Sequence, residues 1–152
     1  MKLERVTYRA AHALELMKAR AEMTSLGWYG QNGVAWAQRS EGAGPAWSML
    51  KGSQVVACAG VALEPWPAGT AWGLFGELFF SHVKTCWREI KGGLERVQKE
   101  QGLVRISTYV LAADPRALNF VEHLGFKLEG FLEAWGPNAE NFLVLGRVRR
   151  DG

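Results

Sequence analysis

Four short runs decide the fold. They are Ile106-Ser-Thr-Tyr-Val-Leu111, Asp114-Pro-Arg-Ala-Leu-Asn-Phe-Val-Glu-His-Leu-Gly-Phe126, Lys127-Leu-Glu-Gly-Phe131 and Phe142-Leu-Val-Leu145. They predict a strand, a short helix, a glycine stop and two further strands. The helix carries its own punctuation. Asp114 is placed to accept from the free amides of the first turn, and Pro115 sits where a missing N–H costs nothing. Leu118, Val121 and Leu124 form one apolar stripe, and Gly125 ends the helix.

Upstream, residues 3–8 predict a first strand. Residues 10–23 predict a helix with Leu14, Met17 and Ala21 on one face and Lys18, Arg20 and Glu22 toward solvent. Residues 24–45 read as irregular, because Gly27, Gly30, Gly33, Gly42, Gly44 and Pro45 interrupt them, with room for a short helix near 32–39. Residues 47–50 and 54–63 read as a hairpin joined through Lys51-Gly52-Ser53. Pro65-Trp-Pro-Ala-Gly69 breaks the chain. Residues 72–80 follow as a strand apolar nearly throughout, as expected when both faces are covered. Val83, Trp87, Ile90, Leu94 and Val97 then recur at spacings of 4, 3, 4 and 3, a helical stripe. Gly92-Gly93 inside it costs about 1 kcal/mol each relative to Ala, and close packing on a sheet is the reading offered for the pair. The order β-α-(α)-β-β-β-α-β-α-β-β gives an α/β, mixed-sheet fold with helices on both faces.

The totals narrow the class. A chain of 152 residues with 48% apolar content is one domain, residues 1–152, with a real core; folding at this length removes roughly 70% of the unfolded surface. The net charge of +3 suits an anionic small molecule, and no basic run longer than Arg149-Arg150 supports a nucleic-acid partner. Cys58 and Cys86 are too few and too distant for a disulfide framework or a zinc site, so no metal is expected. No signal-peptide core and no apolar run of about 18 residues is present, so no membrane role is expected and a reducing cytosol is the default compartment.

The order Ala117-x-x-Phe120-x-x-x-Leu124-Gly125-Phe126-x-x-x-Gly130 resembles the C-terminal half of the GNAT superfamily of N-acetyltransferases. The family wording is Asn-x-x-Ala-x-x-x-Tyr-x-x-x-Gly-Phe. Asp114 stands at the Asn, Ala117 at the Ala, Val121 at the Tyr, and Gly125-Phe126 close the motif. The resemblance covers most of the chain and is most specific in residues 103–146. Trp72-Gly-Leu-Phe-Gly-Glu77 with Trp87, Tyr109 and Asp114 looks most like the GNAT-like proteins of tailed phages, which would place the protein in host cytoplasm.

The resemblance implies a six- to seven-stranded sheet splayed between strands 4 and 5, and acetyl-CoA as the cofactor. It implies that the backbone of Leu78, Phe79 and Phe80 pairs with the pantetheine arm. The pyrophosphate would lie on Ser81, His82, Lys84 and Thr85 at a helix start, with Asp114 and Ala117 completing the cofactor side. The family has glycines in that loop; this chain has none, and hydroxyls and Lys84 stand instead. The same segment also reads as an ordinary helix start with a capping Ser81.

For catalysis, Glu77 is the candidate base, as the only charged residue in 71–80, where apolar surroundings would raise its pKa. Tyr109 or Ser107, two apart and so on one face, are the candidate acids in place of the Tyr that Val121 replaces. Each also reads structurally: Glu77 as an ion-paired or edge carboxylate, Tyr109 as core, His12 and His123 as helix surface. Trp28 and Tyr29, with Trp135 on the loop between the last two strands, match the family's acceptor regions. They read as an aromatic wall for an amine acceptor or as core padding. The acceptor is an amine of a small molecule or a protein. The alternatives are a non-catalytic GNAT-fold protein that binds a host protein, and a virion component; a homodimer fits either.

Overall fold

In a computed structural model the protein is described over residues 2–19 and 24–150, with side chains of residues 19–32 outside the description. Seven strands form one sheet: β1 (Leu3–Thr7), β2 (Ala46–Lys51), β3 (Gln54–Leu63), β4 (Ala68–Phe75), β5 (Arg105–Leu111), β6 (Lys127–Leu132) and β7 (Phe142–Val148), in the order β1-β2-β3-β4-β5-β7-β6. Helices are α1 (Ala10–Ala19), α2 (Thr24–Gly42), α3 (Val83–Glu100) and α4 (Pro115–His123), with a 3-10 helix at Glu77–His82. Only β4 and β5 run parallel; the other neighbours are antiparallel.

Two apolar clusters, one on each sheet face, follow from strand periodicity. On β3, Ala57, Ala59 and Val61 face α3 and α4 with Ile90, Leu94, Val97, Ile106 and Leu145. Val55 and Cys58 face the other side with Tyr8, Ala13, Leu16 and Leu74, under α1 and α2. The mixed α/β sheet read from the sequence is therefore the observed one.

Local punctuation matches the chain. Asp114 Oδ1 accepts from the Ala117 amide at 3.1 Å, Pro115 opens α4, and Gly125 follows it at φ +99°. Gly52 turns the β2–β3 hairpin at φ +63°. His12 is not a solvated surface group. Its Nδ1 accepts from the Arg9 amide at 3.1 Å and lies 2.8 Å from Ser48 Oγ, locking α1 to β2.

Two expectations fail. Residues 24–42 form one continuous helix despite their glycines. Ala37 on α2 is fully buried, and its carbonyl accepts from the Tyr8 hydroxyl at 3.0 Å. Tertiary packing thus outweighs the propensity cost of the glycines. Strand four ends at Phe75, not at residue 80. Gly76 donates to Val56 O at 2.9 Å, and the chain then winds into the 3-10 helix. Leu78, Phe79 and Phe80 are consequently not strand backbone. Phe79 turns inward instead, its ring 4.4 Å from Phe75 and 5.2 Å from Phe120. Of the helix expected over 10–23, residues 20–23 lie outside the described residues.

The double glycine in α3 divides cleanly. A Cβ on Gly93 would stand 2.3 Å from the Trp47 ring, whereas one on Gly92 would meet nothing nearer than Arg96 at 3.9 Å. Gly93 exists so that Trp47 can lie flat under the helix. Gly93→Ala is expected to destabilise by about 1–3 kcal/mol through overpacking, while Gly92→Ala stabilises by up to about 1 kcal/mol. Urea midpoints of the two variants check this, and equal shifts would reject the assignment.

Both thiols are buried. Burial pushes Cys58 up to about 12, against a smaller opposing effect of Ser48, and Cys86 up to about 11, from an ordinary value of 9. The unfolded chain therefore releases these protons first as pH rises. Their contribution to stability is complete below pH 9 and declines as pH climbs toward 11 and 12. Unfolding in urea from pH 7 to 10.5 is expected to show this decline, with a shallower slope in a C58A/C86A variant; an unchanged slope would exclude the thiols as its source.

Candidate active site

β4 and β5 stay paired for only three registered positions, Ala68 with Arg105, Gly69 with Ile106 and Thr70 with Ser107. Thr108 Oγ1 then donates to the Ala71 carbonyl at 3.1 Å, and beyond it the strands part. The wedge between them opens a cavity of about 740 Å³.

Periodicity assigns its walls. Gly76 bonds to β3 through its amide, and the Cys58–Leu74 and Gly60–Trp72 pairs share that phase. Alternation turns the N–H and C=O groups of Ala71, Gly73 and Phe75 toward the wedge. On the α3–α4 face the lining is Ile90, Leu94, Ala117, Phe120, Val121 and Phe126. On the α1–α2 face it is Trp36, Trp72, Tyr109, Trp135 and Phe142. Trp36 and Trp72 meet edge to face at 5.0 Å, and Tyr109 stacks on Trp135 at 4.5 Å with 16° between the planes. Among the described residues, no charged side chain lines the cavity, and Tyr109 is its one ionisable group.

The loop that carries Trp135 is braced. Ala134 N donates to Asn141 Oδ1 at 2.9 Å, Gly136 N to Glu140 O at 3.0 Å, and Asn138 N to Glu140 Oε1 at 2.7 Å. Ala134 and Ala139 hold left-handed φ values of +52° and +61°, which non-glycine residues seldom adopt.

The expected site residues separate into two groups. Tyr109, Ala117 and Trp135 come together on the cavity wall. Glu77 does not join them: it opens the 3-10 helix, exposed, so the apolar surroundings expected for it are absent. Ser107 is engaged by Arg105 Nε at 2.8 Å, and Arg105 pairs in turn with Glu129. Ser81 does not cap α3; its hydroxyl donates back to Leu78 O at 2.9 Å. His82 occupies the N-cap position without a side-chain bond to the helix, and its Nε2 lies 3.4 Å from Lys51 Nζ. Lys84 is exposed on the first turn and Thr85 half-buried. Phe80 is exposed with the Arg116 guanidinium 4.8 Å from its ring centre. Asp114 caps α4 from outside the cavity. The side chains of Trp28 and Tyr29 lie outside the described residues.

Trp36 and Trp72 complete the aromatic wall. Trp36 rides on α2, Trp47 on β2, Trp72 on β4 and Trp87 on α3. The register Thr70–Ser107, extended by two on each strand, is the signal that puts Trp72 and Tyr109 on one face. The sequence carries no register, so this pairing emerges only in the fold.

No protein-family model matches the sequence, and no curated protein matches it. Solved structures do. A ribosomal L7/L12 alpha-N-protein acetyltransferase in complex with coenzyme A superposes with a TM-score of 0.78 at 12% identity, over 97% of this chain and 94% of the other. A GNAT-family acetyltransferase from Streptococcus pneumoniae gives 0.74 at 14% identity, over 98% and 100%. The ribosomal-protein-S5-alanine acetyltransferase of Vibrio fischeri gives 0.71 at 11%, over 99% and 95%.

Asn141→Ala should release the loop with little global cost. The expected loss is about 1 kcal/mol for one hydrogen bond, or roughly 2–4 °C in Tm for a chain of this size. Limited proteolysis should then cut within residues 133–141 several-fold faster. Unaltered cleavage would mean that Asn141 does not hold the loop. The open seven-stranded sheet parted between β4 and β5 is the fold of the GNAT acetyltransferases.

Proposed function

We propose that the protein is an acyl-CoA-dependent N-acetyltransferase acting on an amine of a small molecule or protein. The observation that carries this reading is the cavity at the wedge, which is lined by residues from both faces of the sheet. One face can take the acyl donor and the other the acceptor, so the two reactants meet where the strands part.

The residues fit acetyl-CoA as donor. The β4 backbone at Gly73 faces the wedge and suits a pantetheine arm, and Ala117 and Val121 line the cavity on the α3–α4 face. The first turn of α3 has no side-chain cap, so its amides, with His82, Lys84 and Thr85, suit the phosphates. When bound, acetyl-CoA supplies an activated thioester. The apolar walls exclude water and hold the reactants together, and such placement supplies much of the rate in transfer reactions. Tyr109 is assigned as the proton donor to the departing sulfur. The amine's proton passes to solvent at the mouth of the wedge. Glu77, exposed and outside the wall, has no assigned step.

A second reading has its own observation. The segment 81–85 has no glycine to let a phosphate approach the backbone closely. A non-catalytic protein of this fold, binding a host protein for a tailed phage, accommodates that fact.

Calorimetric titration with acetyl-CoA separates the two. Micromolar binding is expected; no binding up to millimolar would favour the partner-binding reading. Tyr109→Phe keeps the ring on Trp135 and removes only the hydroxyl. It is expected to lower kcat roughly 100-fold with acetyl-CoA affinity within twofold. An unchanged kcat would strip Tyr109 of this role.

A further inference from the structure

The wall on the α1–α2 face has a composition that selects its occupant. Trp72 and Tyr109 share this face because Thr70 and Ser107 are in register and each lies two residues on. They stand on opposite banks of the wedge. Trp72 is backed by Trp36 at 5.0 Å and Tyr8 at 5.0 Å, both edge to face. Tyr109 is backed by Trp135, which meets Phe142 at 5.2 Å. Trp72 lies over Gly60 of β3, and Tyr109 and Trp135 line the same cavity from the β5 side. Tyr109 and Trp135 nevertheless remain 38% and 52% exposed. Large aromatic surface held in a braced loop and left open to solvent marks a place where something apolar docks.

We propose that the acceptor is a small primary amine bearing an aromatic ring, seated with that ring against the exposed Tyr109–Trp135 stack. The proposal rests on the acetyl-transfer reading above. A single ammonium entering this wall is favoured by the aromatic faces. Its pKa is also depressed by desolvation, which yields the free base that transfer requires. The step balances without a further reagent. The amine nitrogen bonds the acetyl carbon as the carbon–sulfur bond breaks. The nitrogen gives up one proton and the sulfur takes one, leaving an amide and a thiol.

The test compares 2-phenylethylamine, tryptamine, n-butylamine and spermidine as acceptors in a thiol-release assay with acetyl-CoA. In parallel, binding of 2-phenylethylamine and n-butylamine to the protein alone is measured by calorimetry. The aryl amines are expected to show kcat/KM at least tenfold above the other two, and 2-phenylethylamine to bind at least tenfold tighter than n-butylamine. Trp135→Ala is expected to raise KM for 2-phenylethylamine about tenfold while acetyl-CoA affinity stays within twofold, and Trp135→Phe to restore most of it. Intact acetyl-CoA binding with n-butylamine or spermidine as good an acceptor, or with no aryl preference in binding, overturns this proposal alone. Loss of acetyl-CoA binding by the wild-type protein overturns the acetyl-transfer reading and this proposal with it.

Discussion

The structure depends on where β4 and β5 stop pairing. A parallel ladder of three positions holds the two halves of the sheet together, and the Thr108 hydroxyl on the Ala71 carbonyl marks its end. A longer ladder would have closed the sheet and spent the β4 backbone groups on β5. Parting early leaves the Gly73 backbone beyond the end of the ladder, facing the wedge. The phenylalanines keep the halves apart. Phe75, Phe79 and Phe120 meet at 4.4–5.7 Å on the α3–α4 face, filling the region that a continuing strand would have occupied.

The supports around that wedge are of two kinds. Small residues allow large ones to sit close: Gly93 under Trp47, and Gly60 beneath the Trp72 ring at 2.7 Å from a notional Cβ. Polar locks fix the loops that an apolar core alone cannot hold, as with Asn141 and Glu140 in residues 133–141 and Asp114 at α4. Arg105 and Glu129 bridge β5 and β6 across Gly146, where a side chain would strike both. Arg105 also engages Ser107, and Tyr109 is the ionisable side chain lining the cavity among the described residues. Among the described residues, no helix is long and apolar enough to cross a membrane, and no cluster of three or more His, Cys, Asp or Glu forms.

The elements from Val83 onward were legible because each declares itself locally: an apolar stripe on α3, Asp114-Pro115 and Gly125 around α4, and β-rich runs on either side. The region 24–42 was not, since its glycines argue against a helix and the burial of Ala37 beside Tyr8 argues for one; that contact spans 29 positions. The end of strand four was misread for a related reason. Leu78-Phe79-Phe80 is as apolar as the strand before it, and its turn into a 3-10 helix goes with the Gly76–Val56 hydrogen bond and the packing of Phe79 on Phe75 and Phe120.

The candidate site divides the same way. By itself the sequence determined the α/β order and the caps and stops, and it named Tyr109, Ala117 and Trp135 as candidates on separate elements. The tertiary structure alone decided that Glu77 and Ser107 stand apart from them and that Trp36 and Trp72 join them. The reason is physical. Caps, turns and stripes are set by residues within about four positions of one another, whereas a cavity wall is set by the register between strands and the helices laid over them.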